Sequence, residues 1–385
     1  RGLAKINTGN YGLVVVPRYF WQLFPKAIEI GRDGTVRIGI FPREYNSVHW
    51  MADASAAGQE LWLLFHKVTR RFPDRPRPDE VADNVIPRLV ALAPRQHYAA
   101  CGALADIGPY APVADPKQNV PFDIRGAERE YFGTHHLKGD AFGWQVFGCR
   151  WEEFAGHSPW NYEPVASSSF LWKFINIQHR SWLEFGLRRL RHFRDIRCYK
   201  IDGTKVFGHD SWGSFRSHNV CEEWCSRSKL WPRDAELKKH QKGIWPRRNW
   251  YLPNPAHNCL DELYDLYCLF GDTRALDGAR NVAAVGGAYA AFRKAAIHRA
   301  NGWCLRSLMR YYDLTGSKEC LPYVRKAVAN AWTIARQHRH VPTIPRTSYP
   351  NNWFYRVFAR AVVLAARVTE DERMRDLAIG MAKGR

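Results

Sequence analysis

Three kinds of sequence feature are missing, and each absence excludes a class of protein. No apolar run approaches the length of about 18 residues that a membrane span needs, so no membrane association is predicted. The nine cysteines form no Cys-x-x-Cys pair, which excludes zinc ribbons and thioredoxin-type motifs. There is also no Gly-x-Ser-x-Gly, P-loop or Gly-x-Gly-x-x-Gly element. Readings as an α/β-hydrolase, a nucleotide hydrolase or a dinucleotide-binding protein therefore have no support.

Acidic residues are scarce relative to basic ones. The 385 residues include 57 Lys and Arg but 37 Asp and Glu, which gives a net charge of +20 with histidine neutral. Such an excess favours an anionic partner, such as an acidic polymer, nucleic acid or anionic lipid. Acids such as Glu152, Glu222, Asp234 and Glu262 interrupt the basic segments, whereas nucleic-acid binding favours a continuous basic face. No nucleic-acid partner is therefore predicted.

The first hundred residues carry the patterns of strands. Residues 12–16 form a buried-strand run, residues 27–40 read as a hairpin with a Gly/Asp turn at 31–34, and residues 61–65 form another strand. A short helix is predicted over residues 79–92, followed by a proline-rich connector over residues 94–124.

From about residue 140 the pattern changes to paired amphipathic helices. Three helix pairs are predicted: residues 256–269 with a helix from 274 onward, residues 300–314 with 319–337, and residues 352–368 with 372–383. An earlier, less clearly punctuated pair is predicted over residues 165–194. The turns at Gly271, Gly316 and Glu370 recur at about 45 to 54 residues, which indicates a repeat array. The array is either an open solenoid or a closed α/α toroid, and we expect its last pairs to lie beyond Arg385.

Histidine and tryptophan concentrate in one part of the chain. Nine of the 15 histidines fall between His135 and His257, and ten of the 16 tryptophans between Trp144 and Trp250. Aromatic rings stack on the apolar faces of sugars, while polar side chains bind the hydroxyl groups. The cluster as a whole predicts a groove for a sugar polymer, although the commoner role of any single tryptophan is in the core.

Twelve residues of this part are the predicted site residues. Three carry polar groups just before a predicted helix: His157, Asn161 and Tyr162. Three stand in an irregular insert, residues 198–255, which we expect at one mouth of the helical array: His209, Trp212 and His218. Six stand on a proline-broken loop that leads into a helix: Arg247, Arg248, Trp250, Tyr251, His257 and Asn258. The histidines of the insert and loop are expected to approach a common cleft, with the two tryptophans on its walls.

Two further groups of residues could be taken for a catalytic pair or a metal site. His192 and Asp195 share a helix face, where a cap or an ion pair is predicted over catalysis. His218, Cys221 and Cys225 lack an evident fourth ligand, so no zinc site is predicted. No cofactor is expected, and a divalent cation such as calcium stays open.

Several of these segments together resemble the rhamnogalacturonan exolyase family. The resemblance runs through residues 19–30, 33–42, 58–66, 98–104 and 257–275. It implies an α+β multidomain chain in which residues 1–100 are the end of a central β-sandwich, residues 101–139 a linker and residues 140–385 an α/α toroid, incomplete at its C-terminus. The chain opens at Arg1 as if in mid-strand, so we expect it to begin inside a longer protein.

The resemblance also implies a chemistry, namely β-elimination in an acidic rhamnogalacturonan-type polysaccharide. Such a lyase removes the proton on C5 of a uronate and expels the C4 oxygen, which needs a base and a group that neutralises the carboxylate. Arg247 or Arg248 would neutralise the carboxylate, and Tyr251 or His257 would take the proton. His209 and His218 are further catalytic candidates.

The other site residues named above are expected to bind substrate. One alternative is a glycoside hydrolase on the same toroid, which the lack of an obvious facing pair of carboxylates weakens. Another is a non-catalytic glycan-binding protein. A secreted or periplasmic location is favoured over the cytoplasm, and the oligomeric state is left open.

Overall fold

The structure is a computed structural model, and it describes the chain in separate stretches. These are residues 2–45, 56–69, 76–77, 93–101, 171, 174–175, 180–197, 204–206, 209–211, 258–292, 299–337 and 349–382. Every structural statement below concerns these residues.

The strands of the described residues lie in three small antiparallel sheets. Their bounds are β1 (Ala4–Thr8), β2 (Tyr11–Pro17), β3 (Ala27–Ile30), β4 (Val36–Gly39), β5 (Leu61–Lys67), β6 (Thr204–Val206) and β7 (His209–Ser211). The strand orders are β1-β2-β5, β3-β4 and β6-β7. The pair β6-β7 corrects the prediction of a wholly irregular insert over residues 198–255.

The three-stranded sheet is built around the apolar run of β2. Val14 and Val16 are buried and pack with Trp62, Leu64 and Leu3 on one face. Strand β5 shows strict alternation, with every second residue exposed, because successive side chains point to opposite faces. The predicted strands at residues 12–16 and 61–65 are therefore confirmed.

The predicted hairpin at residues 27–40 is also confirmed. Strands β3 and β4 pair antiparallel, with Ile28 opposite Ile38. Asp33 closes the turn because its carboxylate accepts hydrogen bonds from the Thr35 amide at 3.0 Å and hydroxyl at 2.7 Å. Gly34 takes a φ of 83°, which a residue with a side chain rarely adopts.

Helices make up the rest of the described residues. Their bounds are α1 (Arg95–Ala100), α2 (Arg180–His192), α3 (Asp261–Phe270), α4 (Thr273–Phe292), α5 (Arg299–Thr315), α6 (Leu321–Gln337), α7 (Tyr349–Thr369) and α8 (Glu372–Ala382). A 3-10 turn spans Arg43–Tyr45, and α2 continues into a π-helical turn, Phe193–Arg197. Helix α1 corrects the prediction that the connector is loop from residue 94. The predicted helix over residues 79–92 lies outside the described residues.

The last six helices form three consecutive pairs, which confirms the predicted pairing. Helices α3, α5 and α7 are neighbours in one layer, and α4, α6 and α8 pack beside them in a second. The predicted turns at Gly271, Gly316 and Glu370 all have positive φ, so each helix ends in a left-handed residue. The first pair begins at Asp261 and not at residue 256. No helix in the described stretches is long and apolar enough to span a membrane.

Candidate functional site

A cleft of about 270 Å³ is lined by residues that flank β2 and β5 and by the C-terminal end of α2. We call it the arginine cleft, because five arginines line it: Arg18, Arg188, Arg191, Arg194 and Arg274. Its other charged or aromatic lining residues are Tyr19, Glu60, His192, Asp195 and Asp272. Segments far apart in the sequence therefore supply one strongly basic site.

Glu60 joins the sheet side of the cleft to helix α2. Its Oε2 atom accepts a hydrogen bond from Arg191 at 2.8 Å, and its Oε1 atom accepts one from Arg18 at 3.2 Å. The indole of Trp62 also donates to Oε1 at 3.2 Å. One carboxylate thus holds two guanidinium groups at fixed positions in the cleft.

Arg18 follows β2 directly and is held by two carboxylates. It is 6% exposed and pairs with Glu184 on α2 as well as with Glu60. Burial lowers the pKa of its guanidinium, but Tyr19, Glu184 and Glu60 raise this pKa by more, so it stays above its ordinary value. Arg18 is therefore a permanent positive charge.

Asp195 organises the opposite wall, within the π-helical turn. Arg194 donates to both of its oxygens, at 2.7 and 2.9 Å, and Arg274 donates to Oδ1 at 3.0 Å. The Asp195 carbonyl accepts a hydrogen bond from the Ala56 amide at 2.7 Å. The ion-pair role predicted for this residue is confirmed. Gly58 permits the close approach, because a Cβ atom there would lie 2.3 Å from Asp195 Oδ2.

Asp272 completes the network at the start of α4. Its Oδ1 atom accepts a hydrogen bond from the Ala275 amide at 3.1 Å, as an N-cap residue does, and its Oδ2 atom pairs with Arg194. Burial lowers the pKa of Arg194, but Asp195 and Asp272 raise it above the ordinary value. Since these pairs are partly buried, solvent screens them less than pairs on the surface.

The charges of the arginine cleft suit an anionic ligand. Five arginines and three carboxylates line the cleft, and a fourth carboxylate, that of Glu184, pairs with Arg18. All six oxygens of Glu60, Asp195 and Asp272 already accept hydrogen bonds. A guanidinium carries five N–H donors and no acceptor, and Arg274 is 56% exposed while it donates through Nη2 to Asp195, so this side chain can also bind a carboxylate from solvent.

Lys26 is a buried lysine that contacts Arg18, a residue of the cleft lining. It is 9% exposed, and its Nζ atom donates to the Arg18 carbonyl at 3.4 Å. Burial lowers the pKa of its ammonium group to about 8. The folded state therefore bears the cost of a desolvated charge at neutral pH.

We expect Lys26→Met to stabilise the protein at pH 7 and not at pH 10.5. Below pH 8 the ammonium is charged in both states, and its burial opposes folding. Between the folded-state pKa of about 8 and the ordinary lysine pKa near 10.4, the unfolded chain binds more protons than the folded protein. The stability of the wild type therefore rises with pH over this range. The free energy of unfolding, measured in urea at pH 7, should be about 1–3 kcal/mol higher in the variant than in the wild type. The range follows from about 1.4 kcal/mol for each unit by which the pKa is lowered, reduced because the site is partly hydrated. An equal gain in unfolding free energy at pH 7 and pH 10.5 would contradict this assignment. The matched control is Lys67→Met, which replaces an exposed lysine of β5.

A second charged cluster is buried between helices α3 and α5. Arg306 donates to both oxygens of Asp261, at 2.8 and 2.9 Å, and Arg310 donates to Oδ1 at 3.1 Å. The Arg310 guanidinium also lies 4.8 Å from the centre of the Tyr264 ring. All three ion-pair partners are almost completely buried, and Cys259 donates to Asp261 at 3.2 Å. Burial raises the pKa of the Cys259 thiol well above its ordinary value, so this cysteine is not a thiolate nucleophile.

Two of the twelve predicted site residues fall within the described residues. Asn258 is completely buried, and its amide donates to the Val282 carbonyl at 3.2 Å. Its own carbonyl accepts a hydrogen bond from Ser307 at 2.8 Å. These contacts are those of a core residue, and its predicted binding of substrate stays a prediction. His209 begins β7 and pairs with Val206 across the small hairpin.

The other ten predicted site residues lie outside the described residues: His157, Asn161, Tyr162, Trp212, His218, Arg247, Arg248, Trp250, Tyr251 and His257. Their meeting in one cleft stays a prediction. Arg18, Glu60 and Asp272 were missed because no local motif marks them. The density of four arginines in residues 188–194 was the available signal for this site.

Within the described stretches, no group of three His, Cys, Asp or Glu side chains is placed to hold a metal ion. The five cysteines described there are free thiols, and three of them are buried.

Comparison with known proteins finds no matching family model, no matching curated protein and no matching solved structure.

Proposed function

We propose that this protein is a polysaccharide lyase that binds an acidic, rhamnogalacturonan-type polymer and cleaves it by β-elimination at a uronate. The observation that carries the proposal is the arginine cleft. Its fixed guanidinium groups match the carboxylate of a uronate in charge and in geometry.

The chemistry of β-elimination explains why arginine suits this site. Removal of the C5 proton places negative charge on the adjacent carboxylate, and positioned cations stabilise that charge in the transition state. Glu60 and Asp195 fix Arg191 and Arg274 before substrate arrives, so little reorganisation is needed. His192 lines the same cleft and is a further candidate for the base, beside Tyr251 and His257.

The carboxylates of the cleft support a lyase over a hydrolase. A glycoside hydrolase needs one carboxylic acid that donates a proton and a second carboxylate that acts as base or nucleophile. The oxygens of Glu60 and Asp195 are all occupied by arginine or tryptophan donors. Their role in the proposal is to position cations, and they do not react.

The proposal extends to the fold and its surroundings. Two layers of paired helices support an α/α toroid over residues 140–385, and the small antiparallel sheets support a β-sandwich portion over residues 1–100 joined through residues 101–139. No cofactor is proposed, a divalent cation stays open, and a secreted or periplasmic location suits a polysaccharide substrate.

The test is an assay of the purified 385-residue chain on rhamnogalacturonan, polygalacturonate and a neutral galactan. A lyase creates a C4–C5 double bond, so we expect near-ultraviolet absorbance to rise with rhamnogalacturonan and stay flat with the galactan. New reducing ends without absorbance would identify a hydrolase instead. Binding without either signal would identify a glycan-binding protein, and both outcomes would contradict the proposal.

A further inference from the structure

Tyr19 holds a backbone conformation that its residue type disfavours. Its φ is 54°, and among the described residues only Glu370, at 53°, is another non-glycine residue with positive φ. A bulky side chain in the left-handed region is strained, and glycine would take this φ freely. Glu370 stands in the last helix turn, where Gly271 and Gly316 fill the corresponding places. The strain at Tyr19 has no such repeat to explain it.

The strained residue stands in the arginine cleft. Tyr19 directly follows Arg18, lines the cleft and starts a turn in which its carbonyl accepts a hydrogen bond from the Leu23 amide at 2.9 Å. The Arg18 guanidinium lies 4.9 Å from the centre of the Tyr19 ring. Tyr19 thus places an aromatic ring beside Arg18 in the cleft.

The Tyr19 ring is one of several groups that support Arg18. Glu60 and Glu184 already hold the guanidinium, and the backbone carbonyl of Arg18 accepts a hydrogen bond from Lys26. The cation–π contact to this buried guanidinium adds to that support, and the same ring also lines the cleft. Residues in sparsely populated backbone conformations cluster at active sites and ligand clamps, where the surrounding structure holds them in place.

We infer that Tyr19 is a substrate-contacting residue, whose ring forms the aromatic wall against which a sugar ring of the acidic polymer packs. The inference rests on the proposed function, because it names the wall of the same cleft. Aromatic faces pack on the apolar C–H faces of sugars, and the neighbouring arginines bind the carboxylate of the same residue. The ring, and not the hydroxyl, makes the contact.

The experiment measures affinity and stability in the same variants. Affinity for an oligosaccharide fraction of rhamnogalacturonan is measured by calorimetry for the wild type, Tyr19→Phe, Tyr19→Gly and Tyr19→Asn. Glycine and asparagine both tolerate the left-handed region, so each removes the ring and relieves the backbone. Glu370→Gly is the matched control, because it relieves the same φ away from the cleft. Unfolding in urea reports the stability of each variant.

We expect Tyr19→Gly and Tyr19→Asn to weaken binding about tenfold, which corresponds to about 1.4 kcal/mol, the scale of one aromatic contact. The affinities of Tyr19→Phe and Glu370→Gly should lie within about twofold of the wild-type affinity, because both variants keep the aromatic ring. Wild-type affinity in both ring-less variants would overturn the inference while leaving the proposed function intact. A loss in Tyr19→Phe equal to that in Tyr19→Gly would also overturn it, because the hydroxyl would then be the contact. Failure of the wild type to bind would reject the proposed function, and the inference with it.

Discussion

Replacement of Asp261 by asparagine is expected to lower the free energy of unfolding by about 3–5 kcal/mol. The carboxylate of Asp261 is the shared partner of Arg306 and Arg310, which are 2% exposed. Asparagine keeps the shape and removes the charge, so Arg306 and Arg310 stay buried without the carboxylate that they share. Asp261 also stands in the first turn of α3, where a negative charge is favourable.

The control for this change is Glu319→Gln. Glu319 pairs with Arg280 at 2.9 Å, but both side chains are 45% exposed, so the loss should stay below about 1 kcal/mol. Urea unfolding of the wild type and both variants gives the comparison. Equal losses in the two variants would mean that the buried cluster does not hold α3 to α5.

The second large effect is expected at Gly302→Ala. A Cβ atom there would lie 2.8 Å from the Phe358 amide nitrogen and 2.9 Å from its Cα atom, so it would push against the backbone of α7. Backbone cannot rotate away as a side chain can, and the helices α5 and α7 must separate. We expect a loss of about 1–3 kcal/mol, after the gain in helix propensity that alanine brings.

Gly278→Ala is the matched control within α4. The nearest atom to its new Cβ would be a methyl carbon of Leu263 at 3.3 Å, which can shift by a small rotation. Its unfolding free energy should stay unchanged or rise by up to about 1 kcal/mol, because alanine favours a helix over glycine. A stabilised Gly302→Ala variant would contradict the close packing of α5 on α7.

Local patterns predicted the secondary structure because its causes are local. The hairpin β3-β4 follows from alternating residues and the Gly31–Gly34 turn, whose hydrogen bond is 3.0 Å long. The helix pairs follow from recurring turns, and Gly271 and Gly316 take the φ that ends a helix. The start of α3 was misplaced because His257 and Asn258, which follow Pro255 and Ala256, resemble a first turn. Asn258 is instead buried and donates a hydrogen bond to the Val282 carbonyl of α4.

The arginine cleft could not be predicted because its contacts join residues far apart in the chain. Arg18 and Glu184 are 166 residues apart, and Glu60 and Arg191 are 131 apart. No periodicity records such pairs, and each residue alone reads as ordinary surface charge. Only the arginine-rich end of α2 marks the place. A cap or an ion pair was predicted for Asp195 from its spacing to His192, and the ion pairs that it forms are with Arg194 and Arg274.

The same reasoning explains the composition of the chain. A large basic excess suggests free positive charge, yet the described arginines of the cleft are mostly paired with acids. The acid of each pair fixes its arginine and does not cancel its donors. The chain can thus bind a carboxylate selectively, while a screened and mobile surface charge would attract any anion.

The most direct measurement of the central claim, that the arginine cleft binds an acidic glycan, is the affinity of three proteins for rhamnogalacturonan oligosaccharides. The proteins are the wild type, Arg274→Gln and Arg280→Gln. Arg274 is 56% exposed in the cleft, whereas Arg280 is 45% exposed on the same helix outside it. We predict that Arg274→Gln weakens binding about tenfold or more, as loss of a charged hydrogen bond does, while Arg280→Gln and the wild type bind alike. Equal affinity of all three proteins, or equal binding of a neutral galactan by the wild type, would contradict the account.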